Sequence, residues 1–537
     1  MPLVALAATV GLVAAACGGT SSDDGGGTAS TEEEGTPQRG GEVTFGMEAD
    51  TLGGFCVPIN QWAISGIQVA NAIYDTLTIP TDSGEYVPYL AKSVTPNGDF
   101  TEWTIELRPN IEFHNGEPLN ADALKMNMDA WQNGILLSQV LEDVEQVTVV
   151  DDLTVRVTTT VPWPAYESAL YGNGRFGIAA PEQIADTNSE SCKNHPIGTG
   201  PFVFDEWIPN NRFVANANPD YWQTDENGEQ LPYLDKITFV PIIEADQRVN
   251  ALEQGRIQVM HTSNALATGR LEGLGDQANL LVQEEGDREV RYYILNSSEP
   301  PFDNPKAREA IALALDRNEI NQVVNGGRFE IADQPFDTNT VGFEENPSFP
   351  EPDQERAAEL VQEVKDEDGS FDVTLQTTPD PSNSSEAQLI KEQLDDVGIN
   401  TDIRQVEQTS FISEVVAGNS SFALWRNLHG DPEFTDTGTT PWFTSDHIIN
   451  FALYDDPEID QLLEDGRSAT DAGQREQIYT DLNNKLNQEN YYIWGWYVDW
   501  AIGSKPNVNG LAGPTLPDGN QWLFLYGRVP VAGLWVS

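Results

Sequence analysis

Residues 1–41 split this chain into a stretch that cannot fold by itself and a body that must. Pro2 to Ala16, PLVALAATVGLVAAA, is apolar and ends in small residues just before Cys17. That length suits the apolar core of a secretory signal and is short for a membrane-spanning helix. Gly18 to Gly41 follows, rich in Gly, Ser, Thr and acids and almost without apolar side chains. Such a segment buries too little surface to offset its ordering entropy, so it reads as a flexible linker. Apolar patterning begins with EVTFGM at Glu42, and no later stretch approaches about 18 consecutive apolar residues, so no second membrane segment is expected. About 500 residues remain, too many for one hydrophobic core and enough for roughly three structural units.

VAAAC, ending at Cys17, resembles a bacterial lipobox, in which a signal peptidase cuts before a lipidated cysteine. Two features depart from that pattern: Ala14 stands where Leu is usual, and no Lys or Arg precedes the apolar run. The reading is a signal peptide over 1–16, with a lipidated Cys17 and linker over 17–40; an uncleaved anchor is the alternative. Either way the body lies outside the cytoplasm, attached to the cell membrane. Three cysteines are present. With Cys17 carrying lipid, Cys56 and Cys192 remain as a pair in an oxidising compartment, which reads as a disulfide, two buried thiols being the alternative.

The formal net charge is −58. Nucleic acid is excluded as a partner, because its phosphates need Lys and Arg, and peripheral docking on anionic lipid is disfavoured for the same reason. The acids are spread along the chain, so they read as a solvated surface, of a kind that salty water would screen.

LRPNIEFHNGEPLNADAL, residues 107–124, sets His114 between Glu112 and Glu117. Its local chemistry describes a corner. Trp103 to Phe113 alternates like a half-buried strand pair, and Asn115-Gly116 tolerates the positive φ of a tight reversal. Pro118 is expected to block further strand pairing, and Asn120 to cap a helix beginning ADALKMNMDAW. A catalytic His needs an orienting partner and a zinc site needs three or four ligands; neither is visible here. GNGRFG, Gly172 to Gly177, matches a dinucleotide fingerprint only in its letters: no strand leads into it and Pro181 follows. No Walker A loop, H-E-x-x-H or G-x-S-x-G is present, and His195, His261, His429 and His447 lack metal-ligand spacing. No catalytic group, metal or cofactor is expected.

Read with its neighbours, the corner takes on a family likeness. YVPYLAKSVTPNGDFTEWTIELRPNIEFHNGEPLNADAL (Tyr86 to Leu124) resembles the signature of family 5 extracytoplasmic solute-binding proteins, the oligopeptide-, dipeptide- and nickel-binding components of ABC importers. Leu90-Ala91, Leu107-Arg108, Phe113-His114-Asn115-Gly116 and Pro118 carry the match. IGTGPFVFDEWIPNNRFVANANPDYW (Ile197 to Trp222) and LNSSEPPFDNPKAREAIALALDRNEI (Leu295 to Ile320) follow in the family's order. The resemblance implies an α/β fold, a periplasmic-binding-protein-like type II clamp of two lobes and three structural domains. Lobe one would span 41–290, with an inserted subdomain at about 86–190, and lobe two 291–495. Residues 496–537 would return to lobe one, giving two hinge crossings. It further implies capture of a small solute, peptide or peptide-like, by a monomer that delivers it to a membrane permease and its ATPase. A surface solute sensor without transport, or a secreted hydrolase, are the other readings.

In peptide-binding members a segment W-x-A-D-Y-x-(D/E)-P supplies the acid that pairs with the peptide's amine. The corresponding stretch here is LWRNLHGDPEF, Leu424 to Phe434, with Trp425 on the family Trp and Leu428 in the acid's place. Arg426, Asn427 and His429 offer donors instead, suited to carboxylate, amide or hydroxyl groups, unless Arg426 pairs with a local acid. The resemblance also sets Phe55, Cys56 and Trp62 beside the ligand, and the aromatics Trp496, Tyr497 and Trp500 near the second crossing. Strand alternation would send Trp494, Trp496, Val498 and Trp500 to one face and Tyr497 and Asp499 to the other, without saying which face meets the cleft.

Overall fold

Alternation sets the first strand, β1 (Glu42–Met47): Val43, Phe45 and Met47 turn inward and are buried, while Glu42 and Thr44 face the other way. The computed structural model describes residues 35–51, 53–283, 286–428, 433, 440–445 and 447–537, with positions 408, 409 and 425–428 as backbone only. The chain divides at Thr36–Pro37, and every described element lies in the unit Pro37–Ser537. The expected signal segment and Cys17 fall outside the described residues.

After β1 the chain inserts a four-stranded antiparallel sheet: β2 (Ala91–Pro96), β3 (Glu102–Leu107), β4 (Val144–Asp151) and β5 (Thr154–Thr159), in the order β2-β3-β5-β4. It then builds β6 (Phe202–Ile208), β7 (Arg212–Ala217), β8 (Lys236–Pro241), β9 (Val259–Thr262) and β10 (Asn279–Val282) around β1. A second large sheet follows, from β11 (Glu289–Leu295), β12 (Asp372–Thr377), β13 (Asn400–Gln405), β14 (Phe422–Leu428) and β15 (Tyr492–Val498), in the order β13-β12-β14-β11-β15. Finally β16 (Ala501–Ser504) rejoins the first sheet, whose order is β10-β16-β9-β1-β8-β7-β6.

The chain therefore crosses between the large sheets twice, just before β11 and just after β15. Those two strands pair antiparallel, Glu289 opposite Val498 and Ile294 opposite Tyr492, and every residue of both is buried. A division at 290/291 or 495/496 would cut through them, so each boundary belongs at the neighbouring crossing. Although β15 ends the sheet, its edge is covered: Tyr497 and Ala332 amides bond to Glu330 and Gly495 carbonyls across it. One connected cluster of buried apolar side chains runs through both lobes and the insertion.

The corner at His114 ties the insertion to lobe one. β3 alternates as expected, with Trp103, Ile105 and Leu107 buried. Pro118 does not end the pairing. It bridges Glu112, because the flanking Leu119 and Phe113 amides supply the hydrogen bonds, to Ile111 and Glu117 carbonyls, that proline cannot donate. Asn120 caps the helix Ala121–Trp131 through the Ala123 amide. His114 donates from Nε2 to the Gly200 carbonyl at 3.0 Å and accepts the Gly198 amide on Nδ1 at 3.3 Å. Both ring nitrogens are thus committed to the neutral form, and burial lowers its pKa from 6.5 to about 4. On the same segment, the Thr199 hydroxyl donates to Asp75 at 3.0 Å, together with Trp222 Nε1 at 2.9 Å and the Tyr221 hydroxyl at 3.1 Å. Burial outweighs these bonds and raises Asp75 from 3.8 to about 6. The glycines around Thr199 leave room for this: a Cβ at Gly198 or Gly200 would strike the Ile73 backbone.

The two buried groups act on stability with opposite sign. Asp75 binds its proton more tightly folded than unfolded, so its contribution is present below pH 4 and is lost as pH rises through 6. His114 binds its proton less tightly folded, so its contribution is present above about pH 6.5 and is lost as pH falls towards 4. Each spans about 3 kcal/mol, and over the shared window they offset one another. Asp75→Asn is expected to make stability rise more steeply between pH 4 and 6 than in the parent, and His114→Gln to make it fall. Urea unfolding at half-unit pH steps measures both slopes, and equal slopes in parent and variants would contradict the assignment.

Candidate functional site

In open α/β sheets, ligands gather at the carboxyl ends of parallel strands. In lobe one β1 runs parallel to both β8 and β9, so its carboxyl end lies where connections diverge. The register carries that edge onward: Thr262 of β9 lies opposite Ala501, as does Val282 of β10. In lobe two the carboxyl end of β14, Leu428, lies opposite Val290, and Glu289 lies opposite Val498. The strand ends of both lobes therefore converge on the two crossings. Glu48, Ser263, Gln283, Arg288, Leu428 and Asp499 mark the rim they share.

The lobe-one side of this rim is polar and tightly paired. Glu48 accepts from Arg248 Nη2 at 3.0 Å and from the Ser263 amide at 2.9 Å. The Glu48 amide donates to His261 Nε2 at 3.0 Å, which leaves the imidazole proton on Nδ1, facing the Gly527 carbonyl at 3.3 Å. The Ser65 hydroxyl also meets Nε2, at 3.1 Å.

The crossing itself is organised by Arg288, 4% exposed at its side chain. Its amide and Nε donate to Asp337 Oδ2 at 2.9 and 2.8 Å, and Nη2 donates to Glu330 at 2.8 Å. Nη1 reaches Asp499, on the other crossing, at 3.5 Å. The guanidinium lies 4.5 Å from the centre of the Tyr497 ring. Burial alone would lower the Arg288 pKa; bonds and charges from Asp337, Glu330 and Asp499 reverse that and hold it above its ordinary value.

Sequence-derived candidates fall into three groups. Trp496, Tyr497 and Trp500 meet at the crossing. Trp500 Nε1 donates to Glu289 at 2.8 Å and its ring lies 5.2 Å from His261. The Tyr497 hydroxyl donates to the Phe336 carbonyl at 2.6 Å, and Trp496 bridges Ile331 with Arg291 6.0 Å from its ring. Phe55, Cys56 and Trp62 are buried in lobe one. Phe55 packs on Phe213 and Trp207 at 4.7 and 5.2 Å, Cys56 is joined to Cys192 in a disulfide, and Trp62 Nε1 donates to Gly54. Trp425, Arg426 and Asn427 lie on β14 within four residues of its rim end, described as backbone; His429 lies outside the described residues. The paired cluster around Arg288, and Glu48 with Arg248, were not identified from sequence: for Arg288 the signal is a charged DRE, Asp287 to Glu289, leading straight into the apolar run VRYYIL. Among the described residues no group of His, Cys, Asp and Glu could hold a metal ion. A surface hollow at Ser384, Gln388 and Gln405 lies by β13, at the far edge of the second sheet from the crossings.

The model of the bacterial extracellular solute-binding proteins, family 5, middle region, matches residues 85–450. The glutathione-binding protein GsiB of Pectobacterium atrosepticum is 26% identical over 432 residues, covering 78% of this chain and 81% of the relative. A probable di/tripeptide-binding protein of Pseudomonas aeruginosa is 26% identical over 453 residues, covering 76% and 81%. Among solved structures, the periplasmic binding protein DppA of Helicobacter pylori, in complex with peptide STSA, superposes with a TM-score of 0.80. It is 21% identical, over 93% of this chain and 98% of that one. The oligopeptide-binding protein AppA of Bacillus subtilis, in complex with a nonapeptide, gives 0.79 at 20% identity, over 93% and 100%. At these identities the structural likeness is one of fold, the two-lobed type II clamp.

Arg288 joins the two crossings through three carboxylates. Arg288→Met leaves Asp337, 1% exposed, as an uncompensated buried charge and is expected to cost about 3–5 kcal/mol of stability. Arg288→Lys, which keeps the charge but loses the paired geometry, is expected to cost less. Denaturant unfolding of both variants at pH 7 provides the check.

Proposed function

The chain belongs to the bacterial extracellular solute-binding proteins of family 5, and on that premise we propose that it is the substrate-binding component of an ABC importer. It captures a small solute, peptide or peptide-like, between its lobes and delivers it to the membrane permease. The observation that carries this reading is the convergence of strand ends from both lobes on two paired crossings. The relatives named for glutathione and for di- and tripeptides support a peptide-like solute. Function is then affinity and release, exercised by a monomer.

The solute's key polar group is anionic or neutral. Leu428 stands where peptide-binding members carry the acid for a free amine, and Arg426, two residues earlier, offers a fork of donors matched to a carboxylate. Native mass spectrometry of material carried through purification identifies the solute. Arg426→Ala is then expected to weaken its binding by about 2–5 kcal/mol in calorimetry, while Lys505→Ala, outside the segment, leaves it unchanged. Equal affinity in both variants, with the fold intact, would reassign the anchor.

Cys17 holds the protein at the outer face of the membrane. The apolar run before it and the polar linker after it support this. Parent protein is expected in the membrane fraction and the detergent phase, and Cys17→Ser in the aqueous phase. Retention of Cys17→Ser at the membrane would point to an uncleaved anchor instead.

A further inference from the structure

Far from the crossings in sequence, one cation of lobe two reaches into lobe one. Arg467 ends the helix Pro457–Ser468, which packs on the helix Ala472–Glu489 of lobe two. Its Nη1 lies 2.7 Å from Glu142 Oε1 and 2.6 Å from Asp143 Oδ2, two residues that lead into β4 of the insertion. The guanidinium sits 5.3 Å from the ring centre of Trp163, also in the insertion, and its side chain is 9% exposed. The carboxylates are held ready. Asp143 accepts from the Thr160 hydroxyl at 2.7 Å, and the Thr160 amide donates to the Asp143 carbonyl. A second lobe-two group, His447, meets Glu142 Oε2 through Nε2 at 3.2 Å.

Among the described residues, both ion-pair partners of Arg467 sit on the opposite lobe, as does the partner of His447. Separation of the lobes would break every one of them and return the guanidinium to water. Burial pushes the Glu142 carboxyl up, but the His447 hydrogen bond and the Arg467 charge outweigh it and hold it below its usual range, so it meets the arginine ionised. In a chain of net charge −58, bringing two acidic lobes together is opposed by their own field. A buried cation shared by two carboxylates across the gap answers that opposition in a site little screened by salt.

We propose that Arg467, clamped on Glu142 and Asp143, is a latch that holds the two lobes closed and so sets solute affinity without touching the solute. Its link to affinity rests on the solute-capture reading; its effect on lobe separation does not. A second cross-lobe pair, Arg328 with Glu272, is about two-fifths exposed at both ends and serves as the control.

The test measures the lobe-to-lobe distance directly. Nitroxide labels on Asp152→Cys in the insertion and Glu464→Cys in lobe two are read by pulsed dipolar spectroscopy. The sample is the full chain as purified, with Cys17→Ser for solubility. The parent is expected to give mainly the short distance. Arg467→Met is expected to lower the ratio of closed to open forms by about 5- to 150-fold, as for ordinary coupling between sites. The isosteric pair Glu142→Gln and Asp143→Asn, on partly exposed residues, is expected to do the same. Arg328→Met is expected to change the ratio by less than about 5-fold, as for an exposed pair. A merely structural arginine would lower the melting temperature without moving the distance. An open parent, or unchanged distances in both latch variants, overturns the proposal. Loss of solute binding at Arg426 is a separate result that leaves these distances standing.

Discussion

The pairing of β11 with β15 is the constraint on which the rest of this molecule depends. Two lobes built from separate sheets have to communicate through a chain that passes between them twice. Laying the two passages side by side, Glu289 against Val498, makes both crossings one mechanical object. Arg288 then joins them chemically, since its guanidinium meets Asp337 and Glu330 of lobe two as well as Asp499 beyond β15. The strand ends of both sheets are in register with this object.

Buried charge acts in two different ways where the lobes meet. At the crossing, Arg288 and Asp337 are paired and buried, so removing one leaves the other without compensation. Between Arg467 and the insertion, the same chemistry spans a gap. The first arrangement favours a single geometry, and the second favours one of two. A strongly acidic chain makes each arginine a scarce resource, and both of these are spent where the two lobes meet.

What the sequence revealed follows the range of the interactions. The corner and cap around His114 were legible because the turn, the Glu112–Pro118 bridge and the Asn120 cap are made within a few residues, whereas the ring's partners Gly198 and Gly200 are not; the motifs running from Tyr86 to Ile320 carried the two-lobed fold. Pro118 was misread because its missing donor was weighed without the Leu119 and Phe113 amides that flank it. The aromatics of β15 resisted a facing assignment for a physical reason. Alternation separates a wet face from a dry one, and β15 is dry on both, so its period says nothing about the cleft. Arg467 and its partners lie more than 300 residues apart, beyond the reach of any local pattern.

The disulfide between Cys56 and Cys192 closes a loop of sequence separation 136 that contains the whole inserted sheet. A protein threaded outward from its amino end presents Cys56 first and cannot present Cys192 until the insertion has emerged between them. The bond is therefore a covalent record that this segment came out and brought its two ends together. It also changes what a protease can do. One cut in an exposed turn of the insertion, such as Asp151–Asp152, leaves the two halves of the chain linked, whereas the same cut after Cys192 lets them part.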